Sequence, residues 1–390
     1  MDNKKHSISH LPSTNVSCSD VEQTFQPIGL GSTLHGGGNT LCVDVCNRQR
    51  IEYIDALRGF AIILVVVQHM SGLCLRSVDS YASMIAQFHM PLFFFISGFV
   101  FYKNQIWDNA AIIIFLKKKI PVYILTPTVF MLLYIYIYKR SLIGVLYDGV
   151  RYGFWFTYIL FLFSCFYICI KCVSQSLKIN SKGCDIMLLI WGVVCYAITL
   201  IGDVMREYGS GVPYILLTFH WKHFIFFAAG TIIKKRYTHF QQLLNTKYFL
   251  LLFIVAFYFL SNIFDIIIYG YHGIIDIVIV MTRSFCGLFI VFIFFYKYSS
   301  SFTKERWLGR TLQYVGQRTL DVYLLHWFFL PFGLVQVFPF FSEKGFPMLE
   351  IFVSMFLSML VIVLCIITSN VYRLSPWIEQ NMFGIKKKKK

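Results

Sequence analysis

Long apolar stretches recur along this chain and are separated by short polar connections. A helix needs about 20 mostly apolar residues to cross the hydrocarbon core of a bilayer. Stretches of this kind fall at ten places: 54–75, 83–102, 120–138, 152–172, 185–205, 213–233, 248–269, 274–296, 319–338 and 348–371. The sequence therefore predicts an all-α integral membrane protein, a polytopic bundle of about ten transmembrane helices.

The distribution of basic residues predicts how this bundle is oriented. Of the 35 Lys and Arg residues, 26 fall in segments on the side of both termini, and six fall in the loops opposite. Cytoplasmic loops carry the excess of basic residues, so both termini are predicted to be cytoplasmic. The net charge of +16 is thus explained by membrane orientation, and we expect no nucleic-acid partner.

The two ends of the chain differ in composition from the apolar region. Residues 1–50 are rich in polar residues and glycine and are predicted to be a disordered cytoplasmic tail. Residues 376–390 end in five lysines and form a predicted basic cytoplasmic tail. The transmembrane domain is expected to span residues 51–375.

Two polar residues bracket most of the first apolar stretch. Arg58 and His69 are separated by roughly 16 Å and about three helical turns, so they lie on the same helix face. Ionisable groups at bilayer depth are costly and normally face a bundle interior or an aqueous cavity. We interpret the charged group and the imidazole, a fixed distance apart on one helix face, as the two ends of a reaction path. An arginine at the membrane interface and a histidine bonded between helices remain the alternative.

Further ionisable residues occur inside the predicted spans. A single buried histidine is usually a hydrogen-bonding core residue, whereas a group of histidines with basic neighbours indicates a cavity. The predicted topology brings most of this group to the outer half of the bundle. No carboxylate or thiolate joins the histidines at ligand spacing, so no metal site is predicted. The group comprises His69, His89, His220, Lys222, His223, Arg283 and His326.

Several motifs resemble a known family. Residues 53–62, with His69 following, resemble the opening of the membrane acyltransferase-3 family, and residues 88–99 resemble its second-span motif. Weaker similarities follow at 117–121, 155–158, 227–230 and 316–326. The resemblance implies transfer of an acyl group, commonly acetyl, from acyl-CoA to a hydroxyl of a surface polysaccharide or lipid-linked sugar. It also implies the bilayer and a glycan acceptor as partners, and the bacterial inner membrane as the location.

The chemistry of acyl transfer suggests roles for the polar residues. His69 is the predicted general base, because the unperturbed pKa of imidazole, about 6.5, lies near the working pH and leaves a neutral ring that can accept a proton. Arg58, the second predicted catalytic residue, is expected to bind donor phosphates together with Lys117, Lys118 and Lys119. The family resemblance implies an arginine in that cluster, and the lysines that stand there lack the bidentate geometry of arginine. Candidates for binding the acceptor or the oxyanion are His89, Ser97, Trp155, His220, Lys222, His223, Arg283 and His326.

Simpler interpretations of three of these candidates remain open. Ser97 precedes Gly98, and such pairs commonly allow close helix packing. Trp155 has the character of an interfacial aromatic residue. Lys222 could form a structural ion pair with Asp203 or Glu207.

A transporter or flippase for a glycan precursor, which would also need polar groups inside the bundle, is the alternative function.

Overall fold

The computed structural model describes residues 51–76, 81–148, 150–207, 218–267, 274–337, 339–343, 347–376 and 378. All regular secondary structure in these ranges is helical. The predicted tails, 1–50 and 376–390, lie outside the described residues apart from Pro376 and Ile378. The first half of the domain contains α1 Glu52–His69, α2 Tyr81–Ala86, α3 His89–Phe101, α4 Asn109–Ile120, α5 Thr126–Ile137, α6 Gly144–Tyr147, α7 Trp155–Ser176 and α8 Ser181–Glu207.

The second half contains shorter helices between the long ones. These are α9 Phe224–Lys235, α10 Tyr237–Leu244, α11 Phe249–Ile267, α12 Ile274–Lys297, α13 Trp307–Gln317, α14 Thr319–Phe329, α15 Leu334–Val337, α16 Phe340–Glu343 and α17 Pro347–Tyr372. Short 3-10 helices cover Arg151–Gly153, Thr218–His223 and Ser299–Phe302.

Seven helical segments of the described residues are long and apolar enough to cross a membrane. They are Glu52–Leu75, Ser83–Phe101, Asn109–Ile137, Trp155–Ser176, Ser181–Thr199, Val278–Lys297 and Met348–Tyr372. An eighth span results if Tyr237–Leu244 and Phe249–Asn262, which meet at an angle of 80°, form one broken span. The protein is therefore a polytopic helical membrane protein, and these eight correspond to eight of the ten predicted stretches.

The other two predicted stretches contain shorter helices. In 213–233 the described part is a 3-10 turn followed by α9, which has 12 residues. In 319–338, α14 has 11 residues and ends before Pro331, which cannot donate the next helical hydrogen bond. The count of ten spans and the cytoplasmic placement of both termini stay predictions.

Two segments of π-helix interrupt the long helices beside the site described below. One covers Met70–Leu75, directly after His69, and the other covers Pro121–Leu125. Pro121 has no backbone N–H, so it makes no hydrogen bond to the preceding turn. Its carbonyl oxygen accepts a bond from the N–H of Thr126, five residues later, which is the spacing of a π-helix. Such π-turns are frequent at functional sites. Asp108 caps the start of α4, which leads into the second π-turn, and its carboxylate accepts a 2.8 Å bond from the N–H of Ala111.

Two pairs of helices cross at glycines with almost no space between their backbones. At the crossing of α1 and α13, a methyl group on Gly59 would lie 2.0 Å from the carbonyl oxygen of Leu312. At the crossing of α3 and α9, a methyl group on Gly98 would lie 2.0 Å from the carbonyl oxygen of Phe227. Small residues allow helices in a membrane to approach this closely. The two crossings fix the residues beside them, Arg58 and Ser97.

A buried ion pair connects α14 to the end of α17. Asp321, which is 1 % exposed, accepts hydrogen bonds of 2.6 Å and 3.0 Å from Arg373 and a further bond from the hydroxyl of Ser369. Leaving one member of a buried pair without the other typically costs about 3–5 kcal/mol. The pair therefore holds α14, the helix that carries His326, against α17.

Candidate active site

A cavity of about 310 Å³ lies between α1, α3, α7 and α14. Arg58 and His69, eleven residues apart on α1, both line it. The predicted shared face of α1 is therefore the face that borders a cavity. Between the two polar residues the lining is mostly apolar, with contributions from Ile62, Val65, Phe93, Ile96, Leu160 and Phe227.

Three cationic side chains line one end of the cavity, which we call the basic end: Arg58, Lys103 and Lys119. The guanidinium of Arg58 lies 3.7 Å from the carboxylate of Asp55, one helical turn earlier. The ammonium of Lys119 lies 3.3 Å from the hydroxyl of Tyr123, which also lines the cavity. The basic end thus combines groups from α1, from α4 and from the segment that follows α3.

The three lysines of the predicted cluster do not point in the same direction, because successive residues of α4 are turned by about 100° around the helix axis. Lys117 and Lys118 are exposed and are not among the described lining residues, whereas Lys119 is half-buried and faces the cavity. Lys103 was not predicted as a site residue. It follows the end of α3 by two positions, and its place in the site depends on the turn of the chain after Phe101.

Two histidines line the other end of the cavity, which we call the histidine end: His69 and His89. The Nδ1 atom of His69 lies 3.1 Å from the Nε2 atom of His326. The two rings are nearly parallel, with an interplanar angle of 7° and centroids 5.3 Å apart. Trp327 packs against the His69 ring at 4.7 Å. The structure thus joins two histidines that are 257 positions apart in the chain.

His89 has a defined hydrogen-bonding pattern at its Nδ1 atom. This atom lies 3.0 Å from the carbonyl oxygen of Ile85. Because a carbonyl oxygen can only accept, Nδ1 carries the proton, and Nε2 of the neutral ring is an acceptor. His89 also interacts electrostatically with His69 and His223. It can therefore accept a hydrogen bond from a hydroxyl group bound in the cavity.

Trp155 separates two further predicted histidines from the cavity. The indole of Trp155 lines the cavity, and the ring of His220 stacks on it with centroids 3.5 Å apart and an interplanar angle of 8°. His223 lies 6.2 Å from the same indole and stacks on Phe94 at 5.1 Å. Among the described lining residues neither His220 nor His223 appears. The two histidines therefore contact the Trp155 indole without lining the cavity themselves.

The remaining predicted candidates occupy different positions. Ser97 lines the cavity, one residue before the glycine at the crossing of α3 and α9. Arg283 is buried in α12 and, like half-buried Lys222, is not among the described lining residues. The side chains of Asp203 and Glu207, the predicted ion-pair partners of Lys222, lie outside the described part of the chain.

Tyr323 lies in the family-like motif at 316–326 but was not among the predicted site residues, and it bonds to two backbone groups at the start of α7. Its hydroxyl donates to the carbonyl oxygen of Gly153 over 3.1 Å and accepts from the N–H of Phe156 over 3.0 Å. Tyr323, Gly153 and Phe156 all line the cavity. The available signal was the position of Tyr323 three residues before His326, which places both on one face of α14.

A second unpredicted contact fixes the π-turn after His69. The hydroxyl of Ser71 donates a hydrogen bond to the carboxylate of Glu350 in the first turn of α17. Both residues are buried, at 0 % and 1 % exposure. A carboxylate at this depth needs polar partners. The bond therefore holds the segment next to His69 against α17.

Within the described residues, no three His, Cys, Asp or Glu side chains are close enough to hold a metal ion. The site therefore offers imidazole, hydroxyl and cationic side chains. Such groups can move a proton and bind an anion.

The model of one protein family, described as an acyltransferase domain, matches residues 51–368. The chain belongs to the acyltransferase-3 family. No curated protein and no solved structure shows a significant match to it. The matched region contains the cavity, the basic end and the histidine end.

The family motifs recognised in the sequence combine packing residues with lining residues in this acyltransferase domain. Arg58 and Ser97 line the cavity, and each is followed by a glycine at a helix crossing. Gly230 and Gly316 lie on the opposite sides of those crossings, where added methyl groups would lie 2.1 Å and 1.9 Å from backbone oxygens. The motifs are thus explained by close helix packing as well as by polar groups.

Proposed function

We propose that this membrane acyltransferase moves an acyl group, commonly acetyl, from cytoplasmic acyl-CoA to a hydroxyl of an exported or lipid-linked glycan. The observation that carries the proposal is the single cavity that joins Arg58 to His69. A cationic group for phosphates and an imidazole for the acceptor lie on the same wall, with an apolar passage between them. We place the protein in the inner membrane of a bacterium, the location that its resemblance to the family implies.

The basic end suits the phosphates of the donor. Arginine can form two parallel hydrogen bonds to a phosphate group, and lysine adds positive charge. Arg58, Lys103 and Lys119 all line the cavity. The mostly apolar lining beyond them suits the thioester arm, which extends toward His69.

The histidine end suits the chemical step. The Nε2 atom of His69 takes the proton of the acceptor hydroxyl as its oxygen attacks the thioester carbonyl carbon. A new C–O bond forms, the C–S bond breaks, and the thiolate leaves and takes the proton from His69. General base catalysis by a positioned imidazole is worth about 10²–10⁴-fold.

The outer part of the site suits a sugar. The indole of Trp155 lines the cavity and is held by the stacked ring of His220. The free acceptor position on His89 can bind a second hydroxyl. A rigid aromatic surface beside hydrogen-bonding groups is the common way in which a concave site orients a ligand.

Acyl transfer from labelled donor tests this proposal directly. The protein in lipid nanodiscs is incubated with acetyl-CoA labelled in its acetyl group and with an envelope glycan fraction. We expect the label to move to the glycan in an alkali-labile ester, with one thiol released per label transferred. Movement of glycan across a proteoliposome membrane without any labelled ester would instead identify a transporter.

A further inference from the structure

His326 is completely buried and makes two kinds of contact with its two ring nitrogens. Its Nδ1 atom lies 3.0 Å from the carbonyl oxygen of Val322 and 2.8 Å from that of Tyr323. Its Nε2 atom lies 3.1 Å from Nδ1 of His69. His326 itself is 0 % exposed and is not among the described residues that line the cavity. It is therefore connected to the cavity through its contact with His69 and does not itself belong to the described lining.

The carbonyl contacts determine which nitrogen of His326 carries its proton. Two carbonyl oxygens face Nδ1, and carbonyl oxygens only accept, so Nδ1 is the donor. A second proton on this fully buried ring would create an unpaired charge, which is costly. The ring is therefore neutral, and its Nε2 atom has a lone pair that faces His69.

The same reasoning then fixes the tautomer of His69. An acceptor at Nε2 of His326 requires a donor at Nδ1 of His69, so Nδ1 of His69 carries the proton. The Nε2 atom of His69 is left with a lone pair, and no described residue hydrogen-bonds to it. Histidines in catalytic sites commonly have their tautomer set by the partner of the other nitrogen.

We infer that His326 is a positioning residue that holds His69 in the tautomer and orientation required of a general base. This inference rests on the proposed function of His69. When Nε2 of His69 takes the acceptor's proton, the resulting cation still donates Nδ1–H to the lone pair of His326. His326 keeps its own proton on Nδ1 throughout, and the proton on His69 Nε2 passes to the leaving thiolate. A buried imidazole thus has the place that a carboxylate has in the serine hydrolase triad.

The surroundings of the pair support a fixed geometry. Trp327 packs against both rings, with centroids 4.7 Å from His69 and 5.0 Å from His326. Its own position is restricted because a methyl group on Gly153 would lie 1.9 Å from the indole. Gly153 has a φ of +96°, a conformation that glycine adopts readily. The loop before α7 therefore restricts the indole of Trp327 to its position beside the two histidines.

Two amide substitutions separate positioning from folding. In His326→Gln the side-chain carbonyl oxygen reaches the place of Nε2 and can accept from His69. In His326→Asn the shorter side chain keeps a similar polarity but cannot reach His69. The kcat and KM for acetyl-CoA are measured with the nanodisc assay and glycan fraction described above. Exposed His239→Asn is the control for a histidine substitution elsewhere.

The inference predicts that His326→Asn lowers kcat, by less than the about 10²–10⁴-fold expected for removal of the base itself. The KM for acetyl-CoA should not change, and His326→Gln should recover a substantial part of kcat. The double variant His69→Ala with His326→Asn should be no slower than His69→Ala alone, because residues that act as a unit are non-additive. A purely structural histidine would give an additional loss.

Equal kcat values for His326→Asn and His326→Gln would overturn the inference, as would a further loss in the double variant. These outcomes differ from failure of the proposed function. If His69→Ala retains normal transfer, the assignment of the base is wrong. If His69→Ala is inactive while His326→Asn is normal, only the role of His326 is wrong.

Discussion

The hydroxyl group of Tyr323 bridges α14 and α7, donating to the carbonyl oxygen of Gly153 and accepting from the N–H of Phe156. A backbone N–H at the start of a helix has no partner within the helix. Tyr323 supplies one, and in doing so it sets the start of α7, where Trp155 faces the cavity. The helix that carries His326 thus also positions the aromatic wall of the site.

Tyr323→Phe should therefore lower both stability and transfer. The change leaves a buried carbonyl and a buried N–H without their partner, which costs about 1–3 kcal/mol. We expect a lower midpoint of thermal unfolding in detergent and slower acyl transfer. Tyr136→Phe is the control, since Tyr136 is 83 % exposed. Unfolding midpoints that match for the two variants would show that the bridge contributes nothing.

Gly98→Ala should separate α3 from α9. The new methyl group would lie 2.0 Å from a backbone oxygen that cannot rotate away. Overpacking of this kind costs about 1–3 kcal/mol, and Ser97 in the cavity would move with α3. Gly333→Ala is a matched control, because no atom lies within 4 Å of its added methyl group. A Gly98→Ala protein as stable as Gly333→Ala would contradict the close crossing.

The lysines of α4 should differ in their effect on donor binding. Lys119 faces the cavity and Lys118 is exposed. Loss of a hydrogen bond to a charged group costs about 1.5–3 kcal/mol, so Lys119→Gln should raise the KM for acetyl-CoA by roughly tenfold or more. Lys118→Gln should leave it unchanged. Equal effects of the two substitutions would mean that the phosphates bind outside the cavity.

Hydropathy predicted much of the fold but not the short helices. An apolar stretch of 20 residues looks the same whether one helix fills it or a helix such as α14 stops before Pro331. The 80° bend between α10 and α11 likewise cannot be predicted from composition. Length and charge limit where a chain can cross a bilayer, whereas the breaks depend on tertiary contacts.

The sequence predicted that histidines converge, but it could not pair them. Arg58 and His69 share a face because of helix geometry alone, and the structure places both on the cavity. The contact between His69 and His326 depends on how α1 packs against α14, which no local pattern encodes. The rotation of α4 likewise decides that Lys119 and not Lys117 faces inward.

The orientation of the protein is open to a direct test. The bias of basic residues predicts cytoplasmic termini and places Arg58 near the cytoplasmic side. Reporter fusions at Lys390 and in the loop near Lys139 should report opposite sides of the membrane. Readings from the same side would contradict the entry of the donor at the basic end.

The central claim is that His69 is the general base, and His69→Ala tests it most directly. Single-turnover transfer of labelled acetyl to the glycan fraction is compared with acetyl-CoA binding measured by calorimetry, with His239→Ala as the control. The account predicts a transfer rate lower by about 10²–10⁴-fold with an unchanged dissociation constant for acetyl-CoA. A folded His69→Ala protein that transfers acetyl at nearly the normal rate would contradict it.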